Sequence, residues 1–205
     1  MFLSITARKI CLHIFSLLIP QLYSYSQDTL TDFLGLPIGE PCRYTDYLSN
    51  IPLTAIEGIS GTGQVIQVFI YKAIKPSLQS LIDQAASYDI HLEVRSAYRT
   101  YQQQAHTYRS LGSHTAEAPG YSEHHIGTTI DFNHIHRDSR AFLWLLEFGI
   151  QKGWIPTYYY RSSTDILPEP WHWRYVGKKA AHRFYQQWTR EIERDKLRLY
   201  TLHGH

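Results

Sequence analysis

Three short stretches of the 205-residue chain carry side chains suited to holding one metal ion and acting on one substrate. In Ser122-Glu123-His124-His125-Ile126-Gly127-Thr128-Thr129-Ile130-Asp131, a histidine and an aspartate stand seven positions apart with a glycine between them. Gly127 breaks the backbone there, so His124 can reach over from a loop while Asp131 points inward from a strand. A neutral imidazole and a carboxylate are suitable zinc ligands. In Glu169-Pro170-Trp171-His172-Trp173-Arg174-Tyr175, Pro170 argues against a helix and leaves Glu169 and His172 on a loop entering a strand. His172 would complete a set of two histidines and one aspartate with a fourth position open, the feature that separates catalytic from structural zinc. Glu169, beside such a site, can take a proton from an attacking water whose pKa the ion lowers to about 7. The third stretch, Ser96-Ala97-Tyr98-Arg99, ends on a guanidinium that can face a carboxylate or a developing oxyanion.

Other chemistry finds less support. Ser122 stands two residues from His124, but no G-x-S-x-G elbow surrounds it, so a serine hydrolase is not indicated. The chain has no H-E-x-x-H, the helix-borne zinc-protease motif. His134, His136, His182, His203 and His205 lack a companion motif and read as solvated or structural. Trp171 and Trp173 flank His172 and read as core or pocket walls.

The elements that must position these residues follow from local pattern. Gln64 to Tyr71 is rich in β-branched residues and predicts a strand. Pro76 opens a helix with Leu78, Leu81, Ile82 and Ala85 on one face. Ile90, Leu92 and Val94 alternate with polar neighbours, a half-exposed strand to Ser96. Thr100 and Gln103 form a capping box, and Gly112 stops the helix they start. Thr128 to Phe132 reads as a strand; Asp138 or Ser139 caps a helix with Phe142, Leu145, Leu146, Gly149 and Ile150 on its apolar face. Trp154 to Tyr160 and Trp171 to Val176 read as aromatic strands, and an amphipathic helix runs from Lys178 to Tyr200. The whole predicts an α+β unit, a small antiparallel sheet with helices to one side.

Composition sets the outer limits. A hydrophobic content of 43% and a charged content of 19% describe a folded chain of about one domain. The net charge of +2 comes from scattered Lys and Arg, which argues against a nucleic-acid partner. Twelve histidines against two cysteines suit imidazole and carboxylate metal chemistry better than a thiolate site. Arg8 and Lys9, the apolar run Ile10 to Ile19 and the small, polar exit near Ser26 predict an export signal over residues 1–26. That run is too short to span a bilayer, so no membrane span is expected in the mature chain. Residues 27–60 read as an N-terminal arm or linker, and 61–205 as the domain that carries the three stretches, a monomer beyond the inner membrane. With the signal removed, Cys42 is the only thiol left, so the core and not a disulfide must hold the fold.

The three stretches together resemble the zinc D-alanyl-D-alanine and L,D-carboxypeptidases of the vancomycin-resistance type. That family reads S-x-Y-R, S-x-H-x-x-G-x-x-x-D and E-x-W-H in this order; here the matches are Ser96–Arg99, Ser122–Asp131 and Glu169–His172. The resemblance implies the hedgehog/DD-peptidase-like fold and one Zn2+ per chain on His124, Asp131 and His172. It further implies Glu169 as the base and Arg99 assisting the tetrahedral intermediate, with Ser122, Arg99, Tyr98, Ser96 and Gln103 contacting substrate. Thr129 stands where a small alanine is common, and His125 where glutamine is frequent. The implied reaction removes the terminal D-Ala from peptidoglycan stem peptides. Cleavage of tetrapeptide stems by L,D specificity and a non-catalytic, zinc-bearing wall-binding module are the alternatives; Glu169 favours an enzyme, since a binding module needs no base.

Overall fold

Runs of β-branched and aromatic side chains become strands where turn residues bound them. The computed structural model describes residues 29–39, 42–47, 50–161 and 167–204. The expected export signal, residues 1–26, lies outside them. Strand β1 (Leu53–Ile59) and strand β2 (Val65–Tyr71) form a two-stranded antiparallel sheet, in register from Leu53↔Tyr71 to Ile59↔Val65. Strand β2 meets its expectation. Strand β1 corrects the reading of 27–60 as an arm or linker, as do Leu30, Leu36, Ile38 and Tyr44, which are all buried. Pro52 and Gly58 interrupt the β1 pattern in sequence; Gly58 is needed because a Cβ there would meet the Val94 carbonyl oxygen at 2.7 Å.

Helix α1 (Lys75–Ala86) carries Pro76 in its first turn and buries Leu78, Leu81 and Ala85. Ile90, Leu92 and Val94 are buried as their alternation predicts, but strand β3 is only Val94–Ser96, the part that finds a neighbouring ladder. Helix α2 (Tyr101–Leu111) begins with the expected capping box: Gln103 N donates to Thr100 Oγ1 at 3.2 Å, and Thr100 N donates to Gln103 Oε1 at 2.8 Å. Strand β4 is Thr129–Phe132. Helix α3 (Arg140–Trp144) is capped by Ser139, whose Oγ accepts from Phe142 N at 3.1 Å, while Asp138 pairs with Arg198. The chain continues through a π-turn, Leu145–Gly149, and a tight turn to Lys152. Strand β5 is only Trp154–Ile155, because Pro156 lacks the N–H to extend the ladder; this shortens the expected Trp154–Tyr160 strand. Strand β6 (His172–Tyr175) precedes helix α4 (Lys178–His203), which bends at Trp188.

The second sheet has the order β3-β4-β6-β5, with every pair antiparallel. In β4 and β6, Thr129 lies opposite Arg174, Ile130 opposite Trp173 and Asp131 opposite His172. Alternation therefore sends Thr129, Asp131, His172 and Arg174 to one face, and Ile130, Phe132 and Trp173 to the other. The second face joins Leu81 of α1, Phe142 of α3 and Phe184 of α4 in the hydrophobic core. Full burial of each Ile or Phe there contributes about 1.5–3 kcal/mol. This is the α+β arrangement expected, with the polar face left for a site.

Candidate metal centre and active site

One of the three expected ligands arrives on a turn and the other two on neighbouring strands. Ser122 caps a short 3-10 turn, Glu123–Ile126, which carries His124 and ends at Gly127 with φ 73. A Cβ on Gly127 would meet Tyr71 N at 3.0 Å, so glycine answers both the left-handed turn and the close approach of β2. Asp131 and His172 stand opposite each other on β4 and β6. Asp131 Oδ1 lies 3.3 Å from His124 Nε2 and 3.2 Å from His172 Nδ1. One ligand atom from each residue falls within 4.8 Å of the others, so the group could hold a metal ion.

The hydrogen bonds behind the ligands fix which nitrogen each ring offers. His124 Nδ1 sits 2.6 Å from the Ala97 carbonyl, which can only accept; its proton is therefore on Nδ1 and Nε2 keeps the lone pair. His172 uses the opposite nitrogens: Nε2 donates to Glu123 Oε2 at 3.1 Å, leaving Nδ1 to face the cluster. Tyr158 stacks flat on the His172 ring at 3.9 Å and blocks its rotation. His124 Nε2, Asp131 Oδ1 and His172 Nδ1 are all buried without a hydrogen bond. A buried polar atom left so costs about 1–3 kcal/mol, and three converging on one point fit a cation.

The shifts of His124 and Asp131 agree with that fit. Burial, with Arg99 nearby, pushes His124 down to about 4, the neutral form that ligates. Burial opposes ionisation of Asp131, but His124, His172 and Arg99 outweigh it and hold its carboxyl well below the usual range. Burial would also lower His172; the carboxylates of Asp131 and Glu123 beside it raise it instead, to about 9. Two carboxylates around one imidazole leave the centre short of positive charge. Glu169 behaves differently: burial pushes it up to about 7, with repulsion from Asp131 adding to the rise. Its Oε2 is 3.5 Å from His172 Nδ1.

A cleft of about 400 Å³ opens over this cluster. Arg99, Ser96, Ser122 and Glu169 line it together with His124, Asp131 and His172, so these expected residues converge. Arg99 Nη1 donates to Gln104 Oε1 at 2.9 Å, and Nη2 lies 3.5 Å from Asp131 Oδ2. Tyr98 and Gln103 are not among the lining residues. Tyr98 ties the chain to β2 through its N–H and the Phe69 carbonyl at 2.8 Å. Gln103 is exposed, and the capping box occupies its side chain, which corrects its expected role at the substrate; Gln104, one position on and buried, is the glutamine in the cleft. Thr129 is buried beneath the site, and His125 holds the Arg99 carbonyl at 2.7 Å through Nδ1. Trp171 walls the cleft while Trp173 lies in the core. Sequence reasoning missed Glu123 and Arg174. Arg174, fully buried, donates to Glu123 Oε1 at 2.7 Å, and its charge keeps Glu123 ionised despite burial.

Comparison with known proteins accords with this centre. The family model for VanY, D-alanyl-D-alanine carboxypeptidase, matches residues 67–178, more than half the chain and all three motifs. A D-alanyl-D-alanine carboxypeptidase of Enterococcus faecalis is 34% identical, covering 56% of this chain and 51% of that protein. One from Enterococcus faecium is 30% identical, covering 59% of this chain and 42% of that protein. The chain thus spans about half the length of these curated relatives. The solved LdcB LD-carboxypeptidase shares the fold, with a TM-score of 0.56 at 24% identity, over 72% of this chain and 79% of that one. On its motifs, and on the family model's match to residues 67–178, the chain belongs to the VanY family of D-alanyl-D-alanine carboxypeptidases.

Proposed function

We propose that the protein is a zinc-dependent D-alanyl-D-alanine carboxypeptidase that removes the terminal D-Ala from peptidoglycan stem peptides. One observation carries this reading: three buried ligand atoms without hydrogen bonds converge beside a carboxyl group, Glu169, inside a cleft. Two imidazoles and a carboxylate suit zinc, and one such group among the described residues corresponds to one ion per chain. Bound to His124, Asp131 and His172, zinc would supply a Lewis acid for the scissile carbonyl and for the attacking water. Glu169 takes the proton from that water and returns it to the leaving amine. A carboxyl near 7 can do both at neutral pH. Arg99, oriented by Gln104, offers a guanidinium to charge developing on the carbonyl oxygen. Ser122, Ser96 and Gln104 line the space beside it for the rest of the peptide.

The substrate lies outside the inner membrane, and an export signal over residues 1–26 with a mature domain acting there as a monomer fits that place. Among the described residues, no helix is long and apolar enough to cross a membrane. Incubation of the purified protein with pentapeptide and tetrapeptide stems, followed by mass spectrometry, tests the reading. Loss of one D-Ala from the pentapeptide is expected. Cleavage of the tetrapeptide alone would assign L,D specificity instead, and no cleavage of either would leave a binding module.

A further inference from the structure

Residues 29–39 and 42–44 lie outside the stretch matched by the family model, yet they reach a proposed metal ligand through an unbroken chain of charges. Arg174 Nη2 donates to Asp32 Oδ2 at 2.7 Å, and Nη1 donates to Glu123 Oε1 at 2.7 Å. The second oxygen of Glu123, Oε2, accepts from His172 Nε2 at 3.1 Å. The side chains of Asp32 and Arg174 are 0% exposed and that of Glu123 is 1% exposed, so no water screens any link. The N-terminal segment grips this chain at several points. Asp32 Oδ1 accepts from Leu34 N at 2.8 Å and from Leu36 N at 2.9 Å. The Pro37 carbonyl and the Tyr44 hydroxyl accept from Arg174 Nη1 at 3.0 and 3.2 Å.

We propose that Asp32 is a positioning residue for the metal centre, acting through Arg174 and Glu123 on the ring of His172. The inference rests on the reading of His172 as a metal ligand. A guanidinium held between two carboxylates gives one N–H face to each, which leaves Glu123 Oε2 for His172 and for the Thr157 hydroxyl, which donates to it at 2.5 Å. Without the Asp32 charge, Glu123 is the one carboxylate left to Arg174. The favoured geometry is then bidentate, with both Glu123 oxygens on the guanidinium. Oε2 is withdrawn from His172, and the imidazole loses the acceptor that keeps its proton on Nε2 and its lone pair on Nδ1. The N-terminal segment thereby sets the tautomer of a ligand that the family-matched residues supply.

Asp32→Asn tests this, because the amide keeps an oxygen for Leu34 and Leu36 while its NH2, which cannot accept, replaces the charged oxygen that holds Arg174. Two quantities are read: zinc affinity by competition with a chromophoric chelator, and the His172 ring nitrogen shifts by NMR in the zinc-free protein at a pH well above 9, where the ring has lost its second proton and holds one tautomer. The expected result is a 10- to 100-fold rise in the zinc Kd, on the scale known for outer partners of metal ligands, with His172 leaving its fixed tautomer. Leu36→Ala, which loosens the same segment without touching the charges, should lower Tm and leave both readings unchanged. Parent-like zinc affinity and His172 shifts in folded Asp32→Asn would overturn the proposal. If that variant does not fold, Arg174→Lys serves: one ammonium cannot span both carboxylates, so an unchanged zinc Kd there refutes the relay equally. Failure of the underlying reading looks different, since zinc would then bind His172→Ala as tightly as the parent.

Discussion

On one face of β4 and β6, Ile130, Phe132 and Trp173 meet Phe142, Leu145 and Phe184. On the other, Asp131, His172 and Arg174 meet His124, Glu123 and Asp32. Both faces are largely buried, and both belong to the same few residues of strand. The apolar face is held by area removed from water and by close packing, neither of which depends on any one pairing. The polar face is held by a list of specific partners, each expensive to remove because its neighbour stays charged and buried. The difference explains why the proposed chemistry falls on one side alone: only there do buried polar atoms converge that one cation could satisfy.

The sharpest way to break this contrast is at Glu169. As the proposed base and not a ligand, Glu169→Ala should keep the fold and the zinc yet lower kcat by about 10²- to 10⁴-fold. Parent-like turnover of a pentapeptide stem by this variant would remove the chemistry from the polar face. Next comes the cost of a missing partner. Arg174→Met leaves Asp32 and Glu123 buried without their cation and should destabilise the protein by about 3–5 kcal/mol in urea unfolding. A loss under about 1 kcal/mol, within the range of an exposed pair, would mean that the network is not dry. The smallest effect belongs to the apolar face. Ile130→Val, on the strand residue directly before Asp131, should cost about 0.5–1.5 kcal/mol and leave zinc affinity unchanged. A drop in zinc affinity there would show that the two faces are coupled through the strand.

The two faces also differed in how far sequence disclosed them. The apolar face was legible because periodicity reports it directly: Ile90, Leu92 and Val94, the α1 stripe and the Thr100–Gln103 box all stand where pattern places them. The residues proposed as ligands could be singled out because three motifs concentrate them. Their supports could not. Glu123 sits in a polar turn and looks like an ordinary surface acid; the cation that keeps it ionised, Arg174, is 51 positions away. Asp32, 142 positions from Arg174, lies in a stretch without hydrophobic period. Gln103 and Gln104 are adjacent and chemically identical, and only the helix phase decides that the first caps α2 while the second turns into the cleft. Pro156 carried a usable signal, since a residue with no N–H cannot continue a ladder, and it marks the true end of β5.

Zinc content tests the central claim most directly, by metal analysis of the parent protein and of Asp131→Ala, both purified without chelator. Asp131 is the carboxylate that both ligand histidines face, at 3.3 and 3.2 Å. About one zinc per chain in the parent and essentially none in the variant is the expected result. A parent chain that takes up no zinc, or an Asp131→Ala protein that keeps its full complement, would contradict it.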